Sequence, residues 1–300
     1  MLNDSLDKSR RAKASASPDG TARPFPRYLW LGIAVLVIGE ILMIMRVPLV
    51  TQWFTPIMWT GYILVVDAWI RHRKGTSLLS DYPAEFIWLA IISIGSWAIF
   101  EGYNVFLKNW IYLELPDNLV VRYFGYVWAF ATISPVIFLT YELLDSVLPG
   151  QNPTTSPRLH NVAFWGFVVF GFACLTVPLV WPSVWMTPLV WIGFAFLLDP
   201  INGRLGERSF LSEFFTGRFR SMPIMFLAGL ICGVFWEFWN YWATTKWEYY
   251  VPYLGHIKLF EMPVLGFLGF MPFIIESFAI YVFVRRLIPI SRKVRYLDRD

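Results

Sequence analysis

Charged residues and cysteines are both scarce in this sequence of 300 residues. Asp, Glu, Lys and Arg supply 15% of the residues and hydrophobic residues supply 57%, whereas a soluble domain carries about 25% charged residues. This composition excludes a soluble domain and a disordered chain, and it indicates a protein of the lipid bilayer. Cys174 and Cys232 lie inside apolar stretches, which excludes a disulfide scaffold and leaves core packing as their expected role.

Several functional motifs are absent as well. The three histidines, His72, His160 and His256, are not at the spacing of metal ligands, so we predict neither a metal site nor a cofactor. The sequence has no Gly-rich phosphate loop and no nucleophile elbow. The formal net charge is only +4 and belongs to loops and tails, so nucleic acid is not an expected partner.

Long apolar runs, in contrast, are abundant. A helix needs roughly 20 mostly apolar residues to span a bilayer, and helices are the expected element because they satisfy their own backbone hydrogen bonds in hydrocarbon. The sequence therefore predicts an all-α, polytopic membrane protein with eight transmembrane helices. The predicted spans are 28–45, 51–70, 83–106, 119–143, 161–181, 184–199, 222–244 and 260–284.

The basic residues predict how these spans are oriented. If the N-terminus lies in the cytoplasm, 20 of the 25 Lys and Arg residues fall on the cytoplasmic side. This is the bias of the positive-inside rule, so we expect both termini in the cytoplasm and the protein in a cell inner (plasma) membrane. Residues 1–27 are predicted to be a disordered cytoplasmic tail rather than a signal peptide, and residues 288–300 a basic cytoplasmic tail.

The two halves of the chain resemble each other. At an offset of 132 residues, WFTPIMWTGYILVVD at 53–67 aligns with WMTPLVWIGFAFLLD at 185–199. Inserted residues then raise the offset to 136 and 137. Further matched pairs are Glu101 and Glu237, Asn104 and Asn240, Trp110 and Trp247, Tyr112 and Tyr249, and Pro135 and Pro272.

This similarity predicts a tandem duplication of a four-helix unit, with repeats at 28–150 and 151–287. Four is an even number, so both copies enter the membrane from the same side. We therefore expect parallel rather than inverted repeats, related by a pseudo-twofold axis along the membrane normal. Duplicated units commonly enclose their site at the shared interface.

Acidic residues inside the spans are the main candidates for chemistry. Each costs about 2.5 to 3.5 kcal/mol on insertion scales, so such residues are commonly functional. Glu101 and Asn104, like Glu237 and Asn240, are spaced i, i+3 and share one helix face. Glu276 lies in the last span and has no acidic counterpart in the first repeat. The predicted catalytic residues are Glu101, Glu237 and Glu276 as acids or bases, with Asn104 and Asn240 to orient them.

Aromatic residues and two further acids complete the predicted site. A desolvated carboxyl group among aromatic rings suits general acid chemistry on cation-like intermediates. Asp67 and Asp199, at the cytoplasmic ends of their spans, predict either a salt link, to Arg71 for Asp67 and to Arg204 or Arg208 for Asp199, or a headgroup or cation site. For the Glu and Asn pairs, hydrogen bonding between helices is the alternative role. The predicted substrate-binding residues are Tyr103, Trp236, Trp239, Trp247, Tyr249, Asp67 and Asp199.

The stretch 236–281 is similar in layout to integral-membrane carotenoid enzymes, namely heterodimer-type lycopene cyclases and bisanhydrobacterioruberin hydratases. In those families an acid on one helix is followed by a Tyr-containing aromatic loop, a Leu-Gly step and a Pro-led helix. The chain departs from the cyclases because it lacks their Pro-x-Glu-Glu motif. The resemblance implies an isoprenoid-sized cavity. The matching positions are Glu237, Trp247 with Tyr249, Leu254-Gly255 and Pro263.

Three functions agree with the sequence. The first is an enzyme that acts on a membrane lipid or isoprenoid by acid–base chemistry in an aromatic cavity. The second is a small proton- or ion-coupled transporter that uses the same acids, and the third is a non-catalytic membrane scaffold. The sequence identifies no protein partner.

Overall fold

The computed structural model describes residues 23–150, 156–252, 254–288 and 296. Most of the two predicted tails lies outside these residues. The fold is all-α, with eight long helices in the described part of the chain. They are α1 Tyr28–Ile44, α2 Phe54–Lys74, α3 Pro83–Leu107, α4 Leu119–Val147, α5 Asn161–Val180, α6 Thr187–Arg204, α7 Ser221–Trp242 and α8 Phe267–Leu287.

Six of these helices are long and apolar enough to cross a membrane, which agrees with the prediction of a polytopic membrane protein. They are α3, α4, α5, α7, and α6 and α8 with the short turns that precede them, Val184–Arg204 and Val264–Leu287. Helix α1 is apolar but has only 17 residues. Helix α2 has 21 residues and ends in a basic turn of Arg71, His72, Arg73 and Lys74. The total of eight spans and the orientation of the chain stay predictions.

Short elements connect the long helices. Asn118 caps the start of α4, since its side chain accepts hydrogen bonds from the backbone N–H groups of Val120 and Val121. The short helices are Pro48–Gln52, Leu78–Asp81 and Phe210–Phe215, and the strands are β1 Trp110–Leu113, β2 Lys246–Tyr249, β3 Lys258–Leu259 and β4 Met262–Pro263.

The last helix begins later than predicted. Residues 260–284 were expected to form one span, but β3 and β4 pair as a small antiparallel hairpin and α8 starts at Phe267. The prediction of this boundary was wrong because the apolar residues Phe260, Met262 and Val264 continue directly into the apolar run of the helix, and composition alone does not separate a short hairpin from the first turns of a helix.

The helices pack in corresponding ways in the two halves. In the first half, α2 packs against α1 and α4, and α3 packs against α4. In the second half, α6 packs against α5 and α8, and α7 packs against α8. Helix α7 also contacts α4 and α2, and α8 contacts α3 and α4, so one hydrophobic core extends through both halves.

Glycines allow the closest of these helix contacts. A Cβ at Gly229 in α7 would lie 2.5 Å from the backbone oxygen of Phe270 in α8. A Cβ at Gly171 in α5 would lie 2.3 Å from the backbone nitrogen of Leu197 in α6. Both values are far below normal contact distances, so larger residues there would push the helices apart.

Strands β1 and β2 join the two halves directly. They pair antiparallel, with Trp110 opposite Tyr249 and Tyr112 opposite Trp247. Strand β1 lies between α3 and α4, and β2 follows α7. The pairing therefore brings together two segments that are more than a hundred residues apart in the sequence.

Candidate functional site

A cavity of about 400 Å³ lies between the two halves, and strands β1 and β2 form part of its wall. Helices α2, α3, α4, α6, α7 and α8 and the loops beside the strands supply the rest of the lining. The wall is rich in aromatic rings, which suit an apolar ligand. Its tryptophans are Trp53, Trp59, Trp97, Trp110, Trp191, Trp236 and Trp247.

Glu101 of α3 accepts three hydrogen bonds beside this cavity. All go to Oε1: the Tyr112 hydroxyl donates at 2.5 Å, the Trp97 indole at 2.9 Å and the Trp110 indole at 3.2 Å. The three donors line the cavity, and Glu101 itself is half-buried. Glu101 therefore accepts hydrogen bonds from three side chains that belong to the cavity wall.

Glu237 of α7 has a similar but looser arrangement. Its Oε1 accepts a bond from the Tyr249 hydroxyl at 3.2 Å and from the Trp247 indole at 3.4 Å. The residue is fully buried, and its Oε2 has no hydrogen-bond partner. Among the described residues, neither Glu237 nor Glu101 forms an ion pair with Lys or Arg.

The two tyrosines are held in their neutral, hydrogen-donating form. Burial raises the pKa of both Tyr112 and Tyr249 well above the usual value for tyrosine, and the neighbouring glutamate carboxylate adds to the shift in each case. Both phenols line the cavity. Each half therefore presents a phenol to the cavity and keeps a carboxyl group behind it.

Asn104 and Asn240 hold the strands rather than the carboxylates. The Asn104 amide donates to the Trp110 carbonyl at 2.9 Å, and its oxygen accepts from the Trp110 N–H at 3.1 Å. Asn240 makes the same pair of bonds with Trp247, at 2.8 Å and 2.9 Å. The orienting role predicted for these amides is thus indirect, because they fix the strands that carry the donors to Glu101 and Glu237.

Glu276 lies apart from the two Tyr–Glu pairs. Its Oε1 accepts a bond from the backbone N–H of Phe194 in α6 at 2.9 Å, and its Oε2 has no partner. The residue is fully buried and is not part of the cavity wall. The structure therefore does not bring Glu276 together with Glu237, because it occupies the side of α8 that faces α6.

Asp67 and Asp199 lie at the far ends of α2 and α6 from the cavity lining. Asp67 accepts bonds from the Tyr28 hydroxyl at 2.6 Å and the Leu79 N–H at 3.0 Å. Asp199 accepts bonds from the Ser209 hydroxyl at 2.6 Å, the Phe210 N–H at 3.0 Å and the Leu211 N–H at 2.9 Å. These bonds give both aspartates a structural role at the start of a short helix.

The arginines expected to pair with these aspartates have other partners. Arg71 pairs with Asp81 at 2.5 Å, and Arg208 pairs with Glu213 at 2.9 Å. Backbone N–H groups therefore compensate Asp199 where a salt link was expected. The predicted headgroup or cation site at these aspartates stays a prediction.

The predicted aromatic residues divide into two groups. Trp236, Trp247 and Tyr249 line the cavity. The Tyr103 hydroxyl instead donates to the Leu175 carbonyl in α5 at 3.0 Å, and the Trp239 indole donates to Glu40 in α1 at 3.2 Å. A step of three residues rotates a side chain by about 60° around the helix, which is enough to turn Trp239 from the cavity toward α1.

The sequence-based selection missed several residues of the cavity wall. Tyr112 and Trp110 were recognised as repeated residues but were not included among the predicted site residues, and Trp97 was not singled out. The matched pair Trp59 and Trp191 was visible in the internal alignment, and it was the signal that could have located the wall.

Comparisons of the chain with protein family models, curated proteins and solved structures gave no match.

Proposed function

We propose that this protein is a membrane enzyme that acts on an isoprenoid or another apolar lipid by acid–base chemistry. One observation carries the proposal: an aromatic cavity of about 400 Å³ has two phenols in its wall, and each phenol is hydrogen-bonded to a carboxyl group behind it. An apolar cavity with a few convergent polar groups is the usual form of a lipid-sized ligand site.

Tyr249 and Glu237 form the proposed acid. A carboxyl group that is removed from water and has no cation partner is least costly in its neutral form. In the proposed step, the Tyr249 hydroxyl turns from Glu237 and passes its proton to the bound lipid, and the neutral Glu237 carboxyl group donates its own proton to the phenolate. The proton that the lipid cation later loses returns to the Glu237 carboxylate. The indole faces of Trp59, Trp191 and Trp236 would stabilise positive charge on an isoprenoid intermediate.

The proposal includes a duplicated 4+4 architecture. Equivalent bonds support it: Asp67 accepts from the Leu79 N–H and Asp199 accepts from the Leu211 N–H, twelve residues downstream in each case. Ring contacts between the halves are also reciprocal. Trp59 packs edge-on against Trp236 with centroids 5.3 Å apart, and Trp191 stacks on Phe100 at 5.1 Å. Because Trp59 aligns with Trp191 and Phe100 aligns with Trp236, each half makes the same contact with the other.

Substrate class and location are part of the same proposal. The layout shared with carotenoid enzymes supports an isoprenoid, and the distribution of basic residues supports cytoplasmic termini in a plasma membrane. With that orientation, the ends of α3 and α7 that carry the two strands lie at the outer face. The cavity would then open in the outer half of the bilayer.

A comparison of lipid extracts tests the proposal. Cells that produce the unaltered chain, Glu237→Gln or Tyr249→Phe are extracted, and their apolar lipids are compared by mass spectrometry. We expect a lipid product with the unaltered chain and its loss, with accumulation of its precursor, in both variants.

Glu248→Gln is the matched control, because Glu248 lies between Trp247 and Tyr249 on β2 and its side chain points to the other face of the strand. It should leave the lipid profile unchanged. Unchanged lipid profiles in all variants would contradict the proposed enzymatic activity. Uptake by proteoliposomes that depends on a proton gradient would support the transporter instead.

A further inference from the structure

The cavity has two lateral edges, and they differ. We call the contact between the first turns of α2 and α4 the α2–α4 seam. The corresponding contact between the first turns of α6 and α8 is the α6–α8 seam. Both seams contribute to the cavity wall, and the internal alignment pairs their residues one by one.

The α2–α4 seam is closed by two contacts. The Trp128 indole of α4 donates a hydrogen bond to the Thr60 hydroxyl of α2 at 3.1 Å. The Trp53 ring lies over Gly125 so closely that a Cβ there would be 1.8 Å from Trp53 Cζ3. Only glycine fits beneath this ring, and the indole covers the edge of the cavity.

The α6–α8 seam cannot form the same hydrogen bond. The residues aligned with Thr60 and Trp128 are Ile192 and Leu265, which have no hydrogen-bonding side chains and which both line the cavity. The residue aligned with Gly125 is Met262, which lies in strand β4 ahead of α8, so this seam has a different backbone at its edge. The tryptophan aligned with Trp53 is Trp185, which is 53% exposed and is not part of the cavity wall.

Residues of the α6–α8 seam belong to the cavity wall and to the outer surface at once. Leu265 and Leu268 line the cavity and are 42% and 56% exposed. Gly269 also lines the cavity, and a Cβ added to it would meet no atom within 4 Å. All three lie in the segment Val264–Leu287, which is apolar enough to cross the membrane, so this surface faces lipid.

We propose that the α6–α8 seam is a lateral opening through which the apolar chain of a membrane lipid enters the cavity. The inference rests on the proposed lipid cavity and adds the route of entry. The seam is lined by aliphatic side chains and glycine, which match an acyl or isoprenoid chain and offer nothing to a hydrated solute. The α2–α4 seam would act only as a fixed wall.

The test uses retinol, a fluorescent isoprenoid alcohol, and the protein in lipid nanodiscs. Energy transfer from the cavity tryptophans to retinol is followed after rapid mixing. Gly269→Phe should fill the opening and lower the rate of transfer about tenfold, which corresponds to a barrier higher by about 1.4 kcal/mol. Gly166→Phe is the matched control, since a Cβ at Gly166 in α5 also meets no atom within 4 Å and the residue is not at the cavity.

A reversible block provides a second measurement if Gly269→Phe fails to fold. Leu265, which is 42% exposed, is replaced by cysteine in a chain whose two native cysteines are replaced by serine, and the new thiol is labelled through a disulfide bond with a bulky aromatic reagent. Labelling should block retinol transfer and reduction should restore it, whereas the same label on Gly166→Cys should have no effect on the rate.

The possible outcomes distinguish failure of the lateral opening from failure of the proposed lipid cavity. Equal rates with Gly269→Phe and Gly166→Phe, at full transfer amplitude, would overturn the lateral opening and leave the lipid cavity standing. A labelled Leu265→Cys variant that still admits retinol at the unaltered rate would do the same. No transfer in the unaltered protein would overturn both proposals.

Discussion

Two clusters of the candidate site share one sequence pattern, yet their carboxyl groups are held differently. The Glu101 cluster is Glu101 with its donors Trp97, Trp110 and Tyr112, and the Glu237 cluster is Glu237 with its donors Trp247 and Tyr249. Glu101 accepts three hydrogen bonds of 2.5, 2.9 and 3.2 Å and is half-buried. Glu237 accepts two, of 3.2 and 3.4 Å, is fully buried and leaves one oxygen without a partner. Strong, numerous bonds stabilise one protonation state, whereas a loosely held group can exchange a proton at lower cost.

The number of donors differs because of a single aligned position. Trp97 supplies the third donor to Glu101, and the aligned residue of α7 is Gly233. The space above Gly233 is filled by the Phe270 ring, which would lie 2.4 Å from an added Cβ. The proposed function therefore gives the reactive role to Glu237 and a positioning role to Glu101, and the three predictions below test this comparison of the two halves.

The largest expected effect concerns the two carboxyl groups themselves. Removal of a general acid typically costs about a hundredfold or more in rate, so Glu237→Gln should lower formation of the lipid product by about that factor. Glu101→Gln keeps a hydrogen-bond acceptor for Tyr112 and should lower it by no more than about tenfold. Quantitative mass spectrometry of lipid extracts measures both. Equal losses would remove the proposed asymmetry between the halves.

A smaller effect is expected at the glycine that distinguishes α7 from α3. Gly233→Ala should force the Phe270 ring to move and lower the free energy of unfolding by about 1–3 kcal/mol, as overpacking typically does. Gly102→Ala in α3 is the control, because a Cβ there meets no atom within 4 Å and alanine favours helix by about 1 kcal/mol. Thermal unfolding in detergent measures both variants. A Gly233→Ala variant as stable as Gly102→Ala would contradict the packing described for α7 and α8.

The smallest effect should follow from Trp97→Phe. This change removes one of the three donors to Glu101 while the aromatic wall remains, so it should cost about 1 kcal/mol of stability. It should also make the Glu101 cluster resemble the Glu237 cluster. Infrared difference spectra of the carboxyl groups, compared with those of Glu101→Gln, report the change at Glu101. An unaltered spectrum would mean that the Trp97 bond does not govern this carboxyl group.

The helices could be predicted from the sequence because their signal is local. Apolar runs of sufficient length gave all eight long helices, and their starts at Pro83, Leu119 and Asn161 lie at the predicted residues. The beginning of α8 was missed because the second half of the hairpin before it, from Phe260, merges with the apolar run of the helix. Local composition does not specify the backbone conformation at such a boundary.

The site was predicted only in part because its geometry is not local. The acids Glu101 and Glu237 were found from their cost in a membrane, but their partners Tyr112 and Tyr249 depend on a pairing of two distant strands. The separate position of Glu276 depends on which side of α8 faces α6. Side-chain direction around a helix changes by about 100° per residue, so small errors in helix rotation place a residue in or out of a cavity.

The antiparallel pair of strands β1 and β2, here called the β1–β2 ribbon, couples the two halves through one strand register. Consecutive side chains of a strand point to opposite faces, so a slip of one residue in either strand reverses every side chain on it. The stretch from Asn240 to Trp247 is one residue longer than the stretch from Asn104 to Trp110, yet both tyrosines keep their bonds to the glutamates, so the loops ahead of the strands absorb changes in length. An insertion inside β1 or β2 would instead turn the tyrosine of its own half to the other face and, through the paired backbone, shift the residues opposite it in the other half.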